Sequence, residues 1–236
     1  VFNILCLILP KYGCNNGVSV TRLTAAFFDQ DPCRLAQALL GKVIRHRYRH
    51  KNRAHWLACR IIETEAYYLA ERGSHSSQGY TAKRAAMFMP PGTIYMYYAR
   101  GGDSLNISAR GEGNAVLIKS AVVHFDRTSP RSNLAIMQRL NPVKGSGKLR
   151  PEEKLCSGQT LLCASLGLKV DRWNQQQFDR RHFYLDDVGY RPETIIQTTR
   201  LGIPAGRDEH LMYRYIDYAH AAQCTNNPLS KRTWSE

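Results

Sequence analysis

Apolar and polar positions change their spacing several times along this chain, and each change marks an element. Between Leu23 and Leu40, Phe27, Phe28, Leu35, Leu39 and Leu40 recur at helical spacing, and Gly41 is a stop signal. Val43-Ile44-Arg45-His46-Arg47-Tyr48 reads as a strand. The polar cluster His50-Lys51-Asn52-Arg53 turns it back into a second strand from His55 to Tyr67. Ile94 to Tyr98 is a further, aromatic strand. Asn114 to Ala121 is a nearly continuous apolar run and predicts a central strand ending near Lys119. Leu134 to Leu140 predicts a short helix and Pro151 to Leu166 a longer one. The Ser157-Gly158 step inside the latter predicts a bend or a close backbone approach. Short strands follow near Phe183-Tyr184-Leu185 and Tyr213 to Ile216, joined by Thr199 to Ile203. Hairpins with scattered helices predict a mixed α/β (α+β) fold, a mainly antiparallel curved sheet flanked by helices. Asn141 to Arg150 is the one candidate linker, and it is too short to divide the chain. A single domain is expected over 21–236, after an N-terminal arm at 1–20.

Charge narrows the partner. Lys and Arg number 33 against 19 Asp and Glu, a formal net charge of +14. Such a surplus favours a polyanion, bound with release of counterions. The apolar stretch Val1 to Leu9 is too short to span a bilayer and lacks a basic flank, so neither a membrane partner nor a signal peptide is expected. Seven cysteines lie scattered without a Cys-x-x-Cys, which predicts reduced thiols and an intracellular protein; Cys156 and Cys163 read as packing residues. The dispersed histidines form no metal-ligand spacing, so no metal and no cofactor are expected.

Candidate chemistry concentrates between Arg60 and Asn106. Glu63 and Glu65 fall on one strand face at period two, beside Tyr67. A loop with His75 follows, then Tyr95 and Tyr97 on one face of a strand with Tyr98 on the other, then Asn106 between apolar neighbours. Carboxylate, imidazole, tyrosines and amide together suit a flat heterocycle with a water activated beside it. From the residues alone, Glu63 and Glu65 are rivals for that task. A surface ion pair accounts for either, and core packing accounts for the tyrosines.

Order and spacing then add a resemblance. Glu63-Thr64-Glu65-Ala66-Tyr67, the later His75-Ser76, Met87-Phe88-Met89 with Pro91-Gly92-Thr93 and Tyr95-Met96-Tyr97, Asn106-Ile107-Ser108, and Leu155-Cys156-Ser157-Gly158 resemble the alkyladenine (3-methyladenine) DNA glycosylases, from about Thr21 to Tyr218. The resemblance implies a monofunctional enzyme of base excision repair. Its partner is double-stranded DNA containing damaged purines: 3-methyladenine, 7-methylguanine, hypoxanthine or etheno-adenine. Such an enzyme rotates the nucleotide into a pocket, because a duplex hides the glycosidic bond. It then stabilises positive charge on the sugar and activates a water with a carboxylate. Glu65 takes that role by resemblance. Tyr67, His75 and Tyr97 would stack on the base, and the Asn106 amide would clash with the exocyclic amino group of normal guanine. Lys119 stands where several relatives carry Arg, and would orient Glu65 or a phosphate; a Schiff-base role is the less favoured alternative. Thr81 and Lys83 match a phosphate-contacting turn, with Ala82 where proline is common.

One departure concerns the wedge that fills the gap left by the flipped base. Relatives place a tyrosine shortly after the position of Tyr97. Here the chain reads Tyr98-Ala99-Arg100-Gly101-Gly102, and Arg100 falls nearest, with Gly101 and Gly102 as a DNA-contacting tip. The protein is expected to be a monomer working where the DNA lies, in a bacterial cytoplasm or a nucleus. Rival readings are a non-catalytic binder of distorted DNA and a hydrolase of free nucleosides. The net charge argues against the second.

Overall fold

The computed structural model describes residues 5–8, 20–99 and 101–230. Among the described residues, ten strands join in one antiparallel sheet: β1 (Leu5–Ile8), β2 (Thr21–Arg22), β3 (Val43–His50), β4 (Arg53–Tyr67), β5 (Ile94–Ala99), β6 (Gly102–Ser108), β7 (Ala115–Val123), β8 (Phe183–Asp187), β9 (Thr194–Thr198) and β10 (Arg214–Asp217). The fold is thus the α+β class expected. Five helices accompany it among the described residues: α1 (Ala25–Phe28), α2 (Pro32–Leu39), α3 (Leu134–Leu140), α4 (Gln159–Leu166) and α5 (Val170–Trp173). None is long and apolar enough to cross a membrane. Of the expected N-terminal arm, Leu5–Ile8 pairs with β9.

The 15-residue β4 is the axis of the sheet. Arg60 pairs with Val43 on one side and Val122 on the other, and Glu65 pairs with Arg214 and Leu117. β3 and β10 therefore follow one another along one edge of β4, while β7 runs along the other. The β3–β4 turn is two residues, Lys51 and Asn52, both at positive φ. That geometry matches the right-handed strand twist, and Asn tolerates it.

Two helical expectations need correction. The region Leu23–Leu40 is not one helix: α1 ends at Phe28 and α2 restarts at Pro32. Pro32 cannot continue a helix but suits its first turn, and the Asp31 carboxylate accepts hydrogen bonds from the Cys33 and Arg34 amides as a cap. The second helix does not run from Pro151. A short 3-10 turn at Glu152–Lys154 gives way at Gly158, whose φ of 139° only glycine adopts readily, and α4 begins after it.

One face of the sheet carries the main core, with Leu35 and Leu39 of α2 and Leu162 and Leu166 of α4 packed over Cys59, Ile61, Leu105 and Ile118. The other face buries Ile62, Ile196 and Ile216 under Ala221 and Cys224. Neighbours such as Tyr215 and Ile216 split between the two faces, as strand alternation requires. Cys156 and Cys163 are buried free thiols in the main core.

Alternation fails at one place. Ile61 pairs with Ala121 and Thr64 with Ile118, but between them Glu63 pairs with Ser120, so Ile62 and Lys119 drop out of the ladder. Cys59 and Ile61 face the main core before this irregularity. After it the core side is taken by Thr64, whose hydroxyl donates to the Ala36 carbonyl at 2.8 Å, and by Ala66. β7 slips likewise, from Ala121 to Ile118 and Val116. The regular period-two strand expected at Arg60–Tyr67 is thus a bulged one, which re-aims side chains as bulges do.

Candidate active site

The bulge decides what the two glutamates meet. In a regular strand, neighbouring Lys119 and Ser120 would face opposite sides. Here each serves a glutamate. Ser120 Oγ donates to Glu63, while Lys119 Nζ sits 3.3 and 3.4 Å from the two oxygens of Glu65.

Glu63 is saturated by structure. It accepts from Arg214 Nε at 2.6 Å, from the Thr225 amide at 3.0 Å and from Ser120. Glu65, also without exposure, accepts from the Tyr67 hydroxyl at 2.8 Å and from the Leu201 amide at 3.2 Å. Burial alone would push its carboxyl up. Lys119, Arg214, the Tyr67 hydroxyl and the Leu201 amide more than offset that, and the group ends below the ordinary carboxylate value. Glu65 is therefore an anion at neutral pH.

Tyr67, Lys119 and Leu201, the groups that hold Glu65, line a cavity of about 310 Å³ together with His75, Tyr95, Tyr97 and Asn106. Glu65 itself lies behind that wall. The volume falls in the range of small-molecule pockets. The rings form a corner. His75 stands 4.6 Å from Tyr97 at 68° and 6.3 Å from Tyr95 at 84°, with its Nδ1 3.1 Å from the Tyr95 hydroxyl. Burial, helped by Arg84 and Arg207, lowers the His75 pKa and keeps the imidazole neutral at pH 7. Asn106 is buried in β6, its Nδ2 donating to the Tyr95 carbonyl at 3.2 Å. Tyr98 points away from its neighbours and is 69% exposed.

Thr81 and Lys83 line an adjoining open cleft that shares His75, Tyr95 and Tyr97 with the cavity. Gly101 lies in the β5–β6 turn, and Gly102 opens β6 paired with the cavity residue Ala99. Gly101 has φ +78° and open space where a side chain would project; at Gly102 a Cβ would come within 2.7 Å of Thr160. Arg100 lies outside the described residues.

A family model described as methylpurine-DNA glycosylase matches residues 26–221. The chain belongs to that family. It is 60% identical over 205 residues to a Pseudomonas savastanoi pv. phaseolicola protein provisionally named 3-methyladenine DNA glycosylase, covering 87% of this chain and 90% of that one. A similarly named Pseudomonas aeruginosa protein is 58% identical over 209 residues, with 89% and 85% covered. The mouse DNA-3-methyladenine glycosylase is 31% identical over 223 residues, covering 88% of this chain and 58% of the mouse protein.

Sequence reasoning did not assign Leu201, Gly202, Ile203, Pro204 and Arg207, a loop that closes one side of the cavity in this member of the methylpurine-DNA glycosylase family. Leu201 contributes a backbone N–H, which every residue but proline supplies, so no residue type announces it. Gln159 was likewise not assigned. It follows the Ser157-Gly158 step, lines the cavity and donates from Nε2 to Ser104 Oγ at 2.8 Å.

Proposed function

We propose that this protein is a monofunctional DNA glycosylase of base excision repair, which rotates an alkylated or deaminated purine out of double-stranded DNA and hydrolyses its glycosidic bond. The observation that supports it is one cavity lined by Tyr67, His75, Tyr97, Asn106 and Lys119, with an anionic Glu65 behind its wall. The base stacks among Tyr67, His75 and Tyr97; each stacked ring contributes about 1–3 kcal/mol. An electron-poor alkylated base gains most. The Asn106 amide, fixed by the Tyr95 carbonyl, excludes the amino group of normal guanine. Glu65 takes a proton from the attacking water and offsets positive charge growing on the sugar. Lys119 touches both Glu65 oxygens and the cavity, and orients the carboxylate. Engaged in that ion pair, it is poorly placed to be a Schiff-base nucleophile. Thr81 and Lys83 in the adjoining cleft, with Gly101 in the β5–β6 turn and Gly102 beside it, contact the duplex, and Arg100 is assigned to the same task by its place in the sequence. The enzyme acts as a monomer and without a cofactor, in the compartment that holds the DNA.

A pure binder of distorted DNA has no use for a buried ion pair at this point, since desolvating the two charges can cost more than their attraction returns. The test is a duplex carrying one hypoxanthine, incubated with protein and then cleaved in hot alkali. Strand scission that depends on the alkali supports the reading. Absence of scission after alkali on hypoxanthine, 3-methyladenine and etheno-adenine substrates would refute it. Scission without alkali, with a borohydride-trapped adduct lost in Lys119→Ala, would refute the monofunctional part.

A further inference from the structure

Arg200 follows β9 and immediately precedes the cavity loop. Its guanidinium is wholly buried, and so, nearly, is the carboxylate of Glu71 opposite it. The pair encloses Tyr67 from three directions. Arg200 Nη1 donates to the carbonyl of Ala66, the residue before, at 3.1 Å. Glu71 Oε1 accepts from the amide of Tyr68, the residue after, at 2.8 Å, and from Arg200 Nη1 at 2.6 Å. The guanidinium carbon lies 4.6 Å from the centroid of the Tyr67 ring. Arg200 does not line the cavity that Tyr67 lines, so it supports the ring from behind.

One donor of the fork departs from the rule. Nη1 and Nη2 meet the two Glu71 oxygens at 2.6 and 2.5 Å, whereas Nε makes no hydrogen bond among the described residues. Buried donors are nearly always matched, because a lost hydrogen bond costs about 1–3 kcal/mol. The fork is also set against the aromatic ring. The next residue, Leu201, gives its amide to Glu65. The Tyr67 hydroxyl, one of the donors on Glu65, is thus anchored at Arg200.

We propose that Arg200, held by Glu71, is a positioning residue: it fixes Tyr67 as the stacking wall of the cavity and as a hydrogen-bond donor to Glu65. This deepens the glycosylase reading above and rests on it. The groups facing the Glu65 carboxylate are Lys119, Arg214, the Tyr67 hydroxyl and the Leu201 amide. Those facing the Tyr67 hydroxyl are Glu65, Arg200 and Tyr97. Loosening Tyr67 removes one stabiliser of the anion, so the acid limb of the rate profile moves toward higher pH.

Single-turnover base release from a hypoxanthine duplex is measured between pH 4 and 8 for wild type, Arg200→Met, Arg200→Lys, Tyr67→Phe and Arg200→Met/Tyr67→Phe. Arg200→Met is expected to slow release at pH 7 by about 10²-fold, as misplaced catalytic groups do. Its acid limb moves up while duplex binding changes less than about threefold. Arg200→Lys restores little, because an ammonium lacks the flat fork. In the Tyr67→Phe background, Arg200→Met adds no further shift of the limb, since the two act in series. If Arg200→Met does not fold, Glu71→Gln, which keeps the shape of the pair, is expected to show the same limb shift with a smaller loss of rate. A limb that stays at its wild-type position in the folded variants, or one that still moves in Tyr67→Phe, overturns the proposal. A wild-type profile with no acid limb, together with an active Glu65→Gln, instead overturns the role of Glu65 and this proposal with it.

Discussion

The two ends of β4 treat charge in opposite ways. At the β3–β4 turn, Arg49, Lys51 and Arg53 project from a hairpin whose register runs unbroken from Val43↔Arg60 to His50↔Arg53. None of these three forms an ion pair among the described residues, and Lys51 and Arg53 are exposed. At the other end, Glu63 and Glu65 have no exposure, the register is broken, and each carboxylate accepts three or more contacts. Water already solvates the first set, so those charges fix nothing in place. Desolvation makes the second set costly, and only a particular set of neighbours makes them tolerable. A charge therefore marks a site by its burial and its company, and the number of charges on an element says little.

The largest expected effect lies at the buried end. Glu65→Gln should slow base release by about 10²–10⁴-fold, the usual worth of a positioned base, while binding to damaged duplex stays near wild type. Single-turnover rates and filter binding check it, and release within a few-fold of wild type would shift attention to Glu63. The same carboxylate has a pH signature. Its folded pKa lies below its ordinary value of 4.5, so its share of stability is present above about pH 4.5 and lost as pH falls through the folded value. Acid unfolding of Glu65→Gln should accordingly be less steep than that of wild type in that window.

Next comes Glu63→Gln, which leaves Arg214 buried beside a neutral amide. Breaking a buried pair this way costs about 3–5 kcal/mol, so the melting temperature should drop sharply while the folded fraction keeps its rate per active site. Equal stability would mean that Arg214 and Thr225 do not depend on Glu63. A smaller effect is expected at the cleft: Lys83→Ala should reduce the slope of log K against log salt by about one and weaken all duplexes alike. Smallest of all is the far end of β4. Arg49→Gln, Lys51→Gln and Arg53→Gln together should leave the release rate within about twofold, with stability changes within about 0.5 kcal/mol per site. A lost salt slope in that triple variant would make the hairpin tip part of the DNA footprint and collapse the contrast.

Much of the site was legible because its parts are side chains of distinctive type in a fixed order. Tyr67, His75, Tyr97, Asn106 and Lys119 come from strands and a loop far apart in sequence and meet in one cavity. What could not be read has a physical reason in each case. Period two alone cannot choose between Glu63 and Glu65, because the choice depends on a register break created jointly with β7. The Leu201 amide carries no residue signature. Arg200 sits in a segment that reads only as a connection between strands, and its role depends on Glu71, 129 positions away. The divided helices are a different matter. Asp31-Pro32 and Gly158 were visible punctuation, outweighed by the apolar spacing around them.

The paired irregularity in β4 and β7 also bears on how this sheet tolerates insertions and deletions. Each strand spends one residue outside the ladder, Ile62 on one and Lys119 on the other, so the two slips cancel and normal pairing resumes at Thr64↔Ile118. Removing one residue from either strand alone would turn every later side chain of that strand to the wrong face. Removing one from each would restore a regular ladder and a sound core, but Lys119 and Ser120 could no longer both face the glutamates. Length changes here are thus viable only as matched pairs, and a matched pair would erase the carboxylate's setting while sparing the fold.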